Sequence, residues 1–174
     1  MRLHLVSDEE KNSERPKLGL GYLSSYLKKY LPDISISLSF AKDDLISDVQ
    51  RIKPDVIGFS AMSHTFNLQI EKARMVKEKF GLPVIIGGVH ISLVPKALPK
   101  WIDVGVISEG EEVLRRLLSS YGKTQKLKNE KIPGLVFWQD GKIKITGPAL
   151  LVEPIGKIPF PDWDFLRVGK NGPG

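Results

Sequence analysis

No cysteine occurs among the 174 residues. That absence excludes a disulfide scaffold, a thiolate metal site, a cysteine-held iron–sulfur cluster and a cysteine nucleophile within them. Histidine is scarce, at three. Long apolar runs are missing too. The longest uncharged stretches, residues 56–70 and 80–95, are 15 and 16 residues long, and the first contains Ser60, Ser63, His64, Thr65 and Asn67, whereas a bilayer span needs roughly 20 mostly apolar residues. The opening MRLHLVSDEE turns acidic at Asp8, unlike a secretory signal. A soluble cytoplasmic protein with no membrane partner is therefore expected. There are no internal repeats and no low-complexity tracts.

The net charge is +6, and most of the excess sits in one short segment. Residues 123–146 carry six lysines against Glu130 and Asp140. Nucleic-acid binding would want clustered arginines with interleaved aromatics. Lys123, Lys126, Lys128 and Lys131 instead read as a solvated loop or helix end, so no nucleic-acid partner is expected.

What is present is an alternation of two periodicities. Residues 3–6, 55–60, 83–86 and 104–107 are short apolar runs, the pattern of buried strands, and residues 34–40 alternate strictly, as a half-wet strand does. Between them apolar residues recur at helical spacing: Leu20, Leu23, Leu27 and Leu31; Leu45, Val49 and Ile52; Phe66, Ile70, Ala73, Val76 and Phe80; Val113, Leu114, Leu117, Leu118 and Tyr121. Pro32, Pro54, Gly81 and Gly122 close those helices. Strands fed by helices in this way imply right-handed crossovers and a flavodoxin-like (Rossmann-like) five-stranded parallel sheet. Residues 134–145 then read as a β-hairpin turning on Asp140-Gly141. Pro148, Pro154, Pro159 and Pro161 mark an extended linker. The expected organisation is an α/β domain over 1–122, a lysine-rich loop and hairpin over 123–147, and a linker over 148–174. Phe160, Trp163 and Phe165 in that linker need something to pack on, which implies a further domain.

Ligands of such sheets bind beyond the carboxyl ends of the strands. The loops there are residues 7–16, 60–65, 87–92 and 108–112, and two of the three histidines, His64 and His90, lie in them. Gly87-Gly88 directly after a strand serves either close backbone approach to a ligand or a tight turn. Gly110 among Ser108, Glu109, Glu111 and Glu112 serves either a site or a helix start with acids in its first turn. Gly19-Leu20-Gly21 with Asp43 is a poor dinucleotide fingerprint, because the ten-residue loop 7–16 lies between it and strand one and Ser24 holds the third glycine position. Gly58-Phe59-Ser60-Ala61-Met62 falls one glycine short of a nucleophile elbow, with His64 or His90 as conceivable partners. His90 with Glu109 and Glu111 would make a divalent-metal set. No metal and no catalytic residue is assigned.

Several of these pieces occur together in a set order: Pro16-Lys17-Leu18-Gly19-Leu20-Gly21-Tyr22-Leu23, Pro54-Asp55-Val56-Ile57-Gly58-Phe59-Ser60, Gly87-Gly88-Val89-His90, Glu109-Gly110-Glu111, and Ile158-Pro159-Phe160-Pro161-Asp162-Trp163. The set resembles the N-terminal cobalamin-binding domain of cobalamin-dependent radical SAM enzymes, over nearly the whole chain. The resemblance implies cobalamin as cofactor, held by Ser60, Met62, Thr65, Gly87, Gly88, His90, Ser92, Glu109 and Gly110. It implies that the 4Fe–4S cluster and S-adenosylmethionine belong to a downstream radical SAM domain, which packs on Phe160, Trp163 and Phe165. It implies an enzyme of methyl transfer or carbon-skeleton rearrangement, in which this chain alone lacks the catalytic centre. Many cobalamin domains ligate cobalt with the histidine of a D-x-H-x-x-G motif after strand one, and residues 7–13 hold no histidine. The rival readings are a ligand-free regulatory module of the same fold and a nucleotide-dependent enzyme using Gly19 and Gly21.

Overall fold

The computed structural model describes residues 1–8, 17–40 and 43–167. Residues 9–16 of the loop after strand one and the linker end, 168–174, lie outside the described residues. Five strands run parallel: β1 (Arg2–Val6), β2 (Ser35–Ser39), β3 (Val56–Ser60), β4 (Val84–Gly87) and β5 (Val104–Val106). Their order is β2-β1-β3-β4-β5, the flavodoxin-like arrangement. The expectation of a sheet that stops at five strands is corrected. β6 (Leu135–Gln139) pairs antiparallel with β5, and β7 (Lys142–Ile145) pairs with β6, giving a mixed sheet of seven. The hairpin turns on Asp140 and Gly141, both at positive φ. It joins the sheet because Leu135, Val136 and Phe137 are buried, and β5, only three residues long, offers them a free edge.

Period-two alternation sorts the core into two layers. Leu3 and Leu5 of β1 face α1 (Leu18–Tyr30) and α5 (Glu111–Thr124), where Leu20, Leu27, Leu114 and Leu117 cover them. Val6, Ile57 and Phe59 belong to the opposite layer, with Leu45 and Val49 of α2 (Leu45–Ile52) and Phe66, Ala73 and Val76 of α3 (Phe66–Phe80). Helix ends follow local chemistry. Asp44 caps α2 by accepting from the Ser47 N–H at 3.1 Å, and Gly81 ends α3 at φ +67°. Gly122 does not end α5. The helix runs through it, and Gln125 takes the left-handed position at φ +54° instead. Among the described residues no helix is long and apolar enough to cross a membrane.

The proline-rich segment carries more structure than its composition suggests. A short helix, α6 (Trp163–Arg167), packs on α1. Asp162 is its anchor: it accepts from Ser24 at 2.8 Å, from Lys28 at 2.6 Å and from the Phe165 N–H at 3.1 Å. Gly21 makes the approach possible, since a Cβ there would stand 2.7 Å from Leu166 Cδ1. Phe165, expected to pack on a further domain, is buried within this chain instead. Phe160 is 90% exposed.

His4 is fully buried between β2 and β3, with Nδ1 2.8 Å from the Ser37 hydroxyl. Burial lowers its pKa from 6.5 to about 4, with Asp48 opposing. The unfolded chain therefore takes up this proton first, and the stability His4 confers is complete above pH 6.5 and drains away as pH falls toward 4. The loss is at most about 3 kcal/mol. Urea midpoints measured at pH 7.5 and 4.5 should fall more steeply for the wild type than for His4→Leu.

Candidate functional site

With this strand order, the chain leaves β1 toward α1 on one face and leaves β3 toward α3 on the other, so a crevice opens beyond their carboxyl ends. A cavity of about 650 Å³ occupies it. Its floor is Leu3, Leu5, Gly58 and Ile85 of the sheet, its sides are α1 and α5, and its mouth is the ends of β3, β4 and β5. Gly58 lowers the floor: a Cβ there would be 3.0 Å from Leu5 Cδ2. The Tyr26 hydroxyl of α1 donates to Glu112 of α5 at 2.8 Å and braces the two sides. Hydrogen bonds from Arg115 and then from Arg116 and Tyr26 hold the Glu112 carboxyl down at about 2, against its desolvation. Burial, helped by Glu112, pushes Tyr26 up to about 12. That brace keeps its charge state across the physiological range.

The mouth is built by backbone approaching backbone. Gly88 sits at φ +99°, and a Cβ on it would lie 2.6 Å from the Ala61 carbonyl oxygen. The Ala61 N–H donates to the Gly87 carbonyl at 3.0 Å and the His90 N–H to the Ala61 carbonyl at 3.3 Å. Next to it, Ser92 of the short helix α4 (Val89–Leu93) donates to the Gly88 carbonyl and accepts from the Ser108 N–H, both at 2.9 Å. Ser92 thereby ties the loop after β4 to the loop after β5. On the other side, buried Asp8 at the end of β1 accepts from the Met62 N–H at 2.9 Å and from the Thr65 hydroxyl at 2.5 Å, and the Lys17 ammonium rests on its carboxylate. Lys17 also reaches the Ser60 hydroxyl at 3.4 Å. Burial draws its ammonium down to about 8, while the adjacent carboxylate works against that shift.

Of the nine residues singled out by resemblance, the structure brings Ser60, Met62, Gly87, Gly88, Ser92, Glu109 and Gly110 onto the cavity wall. Thr65 stands behind the wall on Asp8 and supports the Met62 turn. His90 turns the other way, its ring 3.9 Å from that of Phe66 and its Nδ1 3.2 Å from the Ser63 hydroxyl. The Ser60 hydroxyl neighbours Lys17 rather than a histidine, so the nucleophile reading loses the His64 or His90 base it called for. Gly19 and Gly21 lie inside α1, not in a strand-to-helix turn, which removes the phosphate cradle that the nucleotide rival needs.

Sequence reasoning missed Lys17, and it weighed Glu111 only as a metal ligand with His90 and Glu109 or as an acid at a helix start. Both are charged residues near helix starts and look solvated in the sequence, yet both line the cavity. Burial pushes the Glu111 carboxyl up, with its own backbone N–H opposing and Glu109 adding to the rise. The apolar side chains of Leu18, Met62, Val89 and Leu93 stand exposed around the mouth.

The family profile for the B12 binding domain matches residues 11–118. An uncharacterized methyltransferase of Pyrococcus horikoshii is 29% identical over 163 residues, covering 89% of this chain and 35% of that protein. Among solved structures, the cobalamin-dependent S-adenosylmethionine radical enzyme OxsB, with aqua-cobalamin and S-adenosylmethionine bound, superposes with a TM-score of 0.80. It is 23% identical and matches over 95% of this chain and 24% of its own. The radical S-adenosylmethionine methyltransferase TsrM of Kitasatospora setae, with tryptophan and a SAM analogue, gives a TM-score of 0.68 at 19% identity, over 86% of this chain and 31% of its own. The chain thus spans about a quarter to a third of the length of these proteins.

Gly88→Ala places a methyl group against the Ala61 backbone at positive φ and should cost about 2–4 kcal/mol. Gly110→Ala meets nothing closer than 3.7 Å and should cost less than about 1 kcal/mol. Chemical denaturation of the two variants checks the contrast.

Proposed function

The chain belongs to the B12 binding domain family, and from that premise we propose that it holds a cobalamin at the carboxyl rim of its sheet, in the service of a radical SAM enzyme that transfers a methyl group. The observation that carries the reading is the cavity's shape. It combines a deep apolar slot, floored by Leu3, Leu5, Gly58 and Ile85, with a broad mouth edged by Met62, Val89 and Leu93. A corrinoid has the matching form: a wide, partly apolar disc with amide arms and an aromatic base on a tether. Few other soluble ligands need a platform and a slot together.

The residues present fit that group. Gly87 keeps the mouth open, since a Cβ there would be 3.8 Å from its nearest neighbour, the Val106 carbonyl, and a larger side chain would project into the space. Met62, Val89 and Leu93 supply the apolar surface for the disc. Ser60 offers a hydroxyl at the entrance to the slot and Glu109 a carboxylate at its rim. Asp8 and Thr65 hold the Met62 turn in place from behind, and the Lys17 ammonium on the cavity wall pairs with Asp8. Bound there, cobalamin supplies a cobalt centre able to carry a methyl group between donor and acceptor. The protein's part is to orient it and to keep water from one side.

A chain without cysteine has no thiolates for an iron–sulfur cluster, so in this reading the cluster and S-adenosylmethionine belong to the downstream radical SAM domain. Phe160 and Trp163, exposed beside α1, are the aromatics left for that domain to cover. The methyltransferases among the relatives favour methyl transfer over carbon-skeleton rearrangement. Localisation in the cytoplasm is part of the same proposal, since this chemistry belongs in a reducing compartment.

Hydroxocobalamin mixed with the protein and passed through a desalting column should co-elute with it, read by the corrin absorbance. Gly87→Leu should abolish the retained colour without lowering the unfolding free energy by more than about 1 kcal/mol. His90→Ala, whose ring faces Phe66, should retain as much colour as the wild type. A colourless wild-type protein would instead support the ligand-free regulatory module.

A further inference from the structure

Glu111 is 8% exposed and lines the cavity. Among the described residues, no other side chain hydrogen-bonds or ion-pairs with it, and its donor within the chain is its own backbone N–H. Neither of its carboxylate oxygens is sealed off without a partner, so the side that its own N–H does not serve opens on the cavity, where a carboxylate has room for further donors. Its neighbours show the contrast. Glu112, one residue on, takes hydrogen bonds from Tyr26, Arg115 and Arg116. Asp8 across the cavity is met by Met62, Thr65 and Lys17. Burial raises the pKa of Glu111, its own backbone N–H opposing and Glu109 adding to the rise. The carboxyl is a polar group placed in an apolar slot with its donors left to come from elsewhere.

Its height in the slot says what those donors belong to. Glu111 and Leu114 are three residues apart on α5, so they share a face about 4.5 Å apart along the axis. Leu114 lies at the level of the apolar floor, with Leu3, Leu5 and Ile85. An aromatic base lodged on that floor would bring the sugar attached to it up to Glu111, one helical turn nearer the mouth. A sugar's free hydroxyls are donors, and a carboxylate is their natural acceptor. Glu109, by contrast, is exposed at the rim and has water for its donors.

We propose that Glu111 accepts hydrogen bonds from the sugar hydroxyls of a corrinoid's nucleotide tail, and so makes this site select complete corrinoids over those that lack the tail. The proposal rests on the corrinoid reading of the cavity and adds a specificity-determining residue to it.

Titrations with hydroxocobalamin and with aquacobinamide, which has the corrin ring but no phosphate, sugar or base, test it. The wild type should bind hydroxocobalamin at least about tenfold more tightly than aquacobinamide. Glu111→Ala should lose about tenfold or more of the hydroxocobalamin affinity and leave the aquacobinamide affinity within about twofold. Glu111→Gln keeps a carbonyl acceptor of the same size and should hold hydroxocobalamin more tightly than Glu111→Ala does. Equal losses for both ligands in both variants, or no loss for either, would overturn the role of Glu111 and leave the corrinoid reading standing. Failure of the wild type to bind either ligand would overturn both.

Discussion

Everything at the functional end of this molecule depends on two strands whose chain exits part company. β1 and β3 lie side by side, yet one hands its chain to α1 and the other to α3, on opposite faces of the sheet. No polypeptide can cover the ground between those exits without crossing it. The crevice is therefore a consequence of strand order and exists before any side chain is chosen. The residue choices then decide its size. Gly58 sets the depth, Gly87 leaves the entrance clear, and Gly88 lets two loops meet backbone to backbone. A side chain at Gly88 would push the loops apart, and one at Gly87 would fill the opening.

The rim is held by polar contacts that are internally satisfied. Asp8 gathers an amide and a hydroxyl from the loop after β3 and an ammonium from the residue before α1. Ser92 links two loops through one hydroxyl. Tyr26 and Glu112 connect the helices on either side of the slot, and their proton affinities are moved far from neutrality in opposite directions. These groups have found their partners within the chain. Glu111 has not, and the difference separates a residue that builds the wall from one that faces a guest.

The fold was legible wherever local pattern and tertiary burial agree. The apolar runs of β3 and β4 need two covered faces, and they have them. Asp44, Pro54 and Gly81 act within a few residues of where they stand, so the ends of α2 and α3 follow from chain chemistry. The sheet's true width was not legible, because which edge a hairpin joins is decided by a partner far away in the sequence. The passage of α5 through Gly122 was hidden for a related reason: Tyr121 and Leu118 are held by the core, and that burial overrides a glycine's preference. Short α6 was masked by prolines on either side, although Asp162 stands just where a helix cap belongs. At the site, small residues after apolar strands signalled the crevice. The orientation of His90 and the burial of Lys17 and Glu111 carried no signal, since a charged residue near a helix start looks the same in sequence whether it meets water or a wall.

The hairpin that widens the sheet also finishes it. β7 is four residues long and alternates lysine with isoleucine, Lys142-Ile143-Lys144-Ile145, and Lys144 is paired with Glu130. A foreign strand seeking the open backbone groups of this border would have to settle beside ammonium groups, at a cost in lost hydration. Brevity and charge together make the border a poor template for fibrillar stacking. The protein can thus expose an apolar mouth at one end of its sheet while the β7 border of the same sheet discourages copies from adding a strand there.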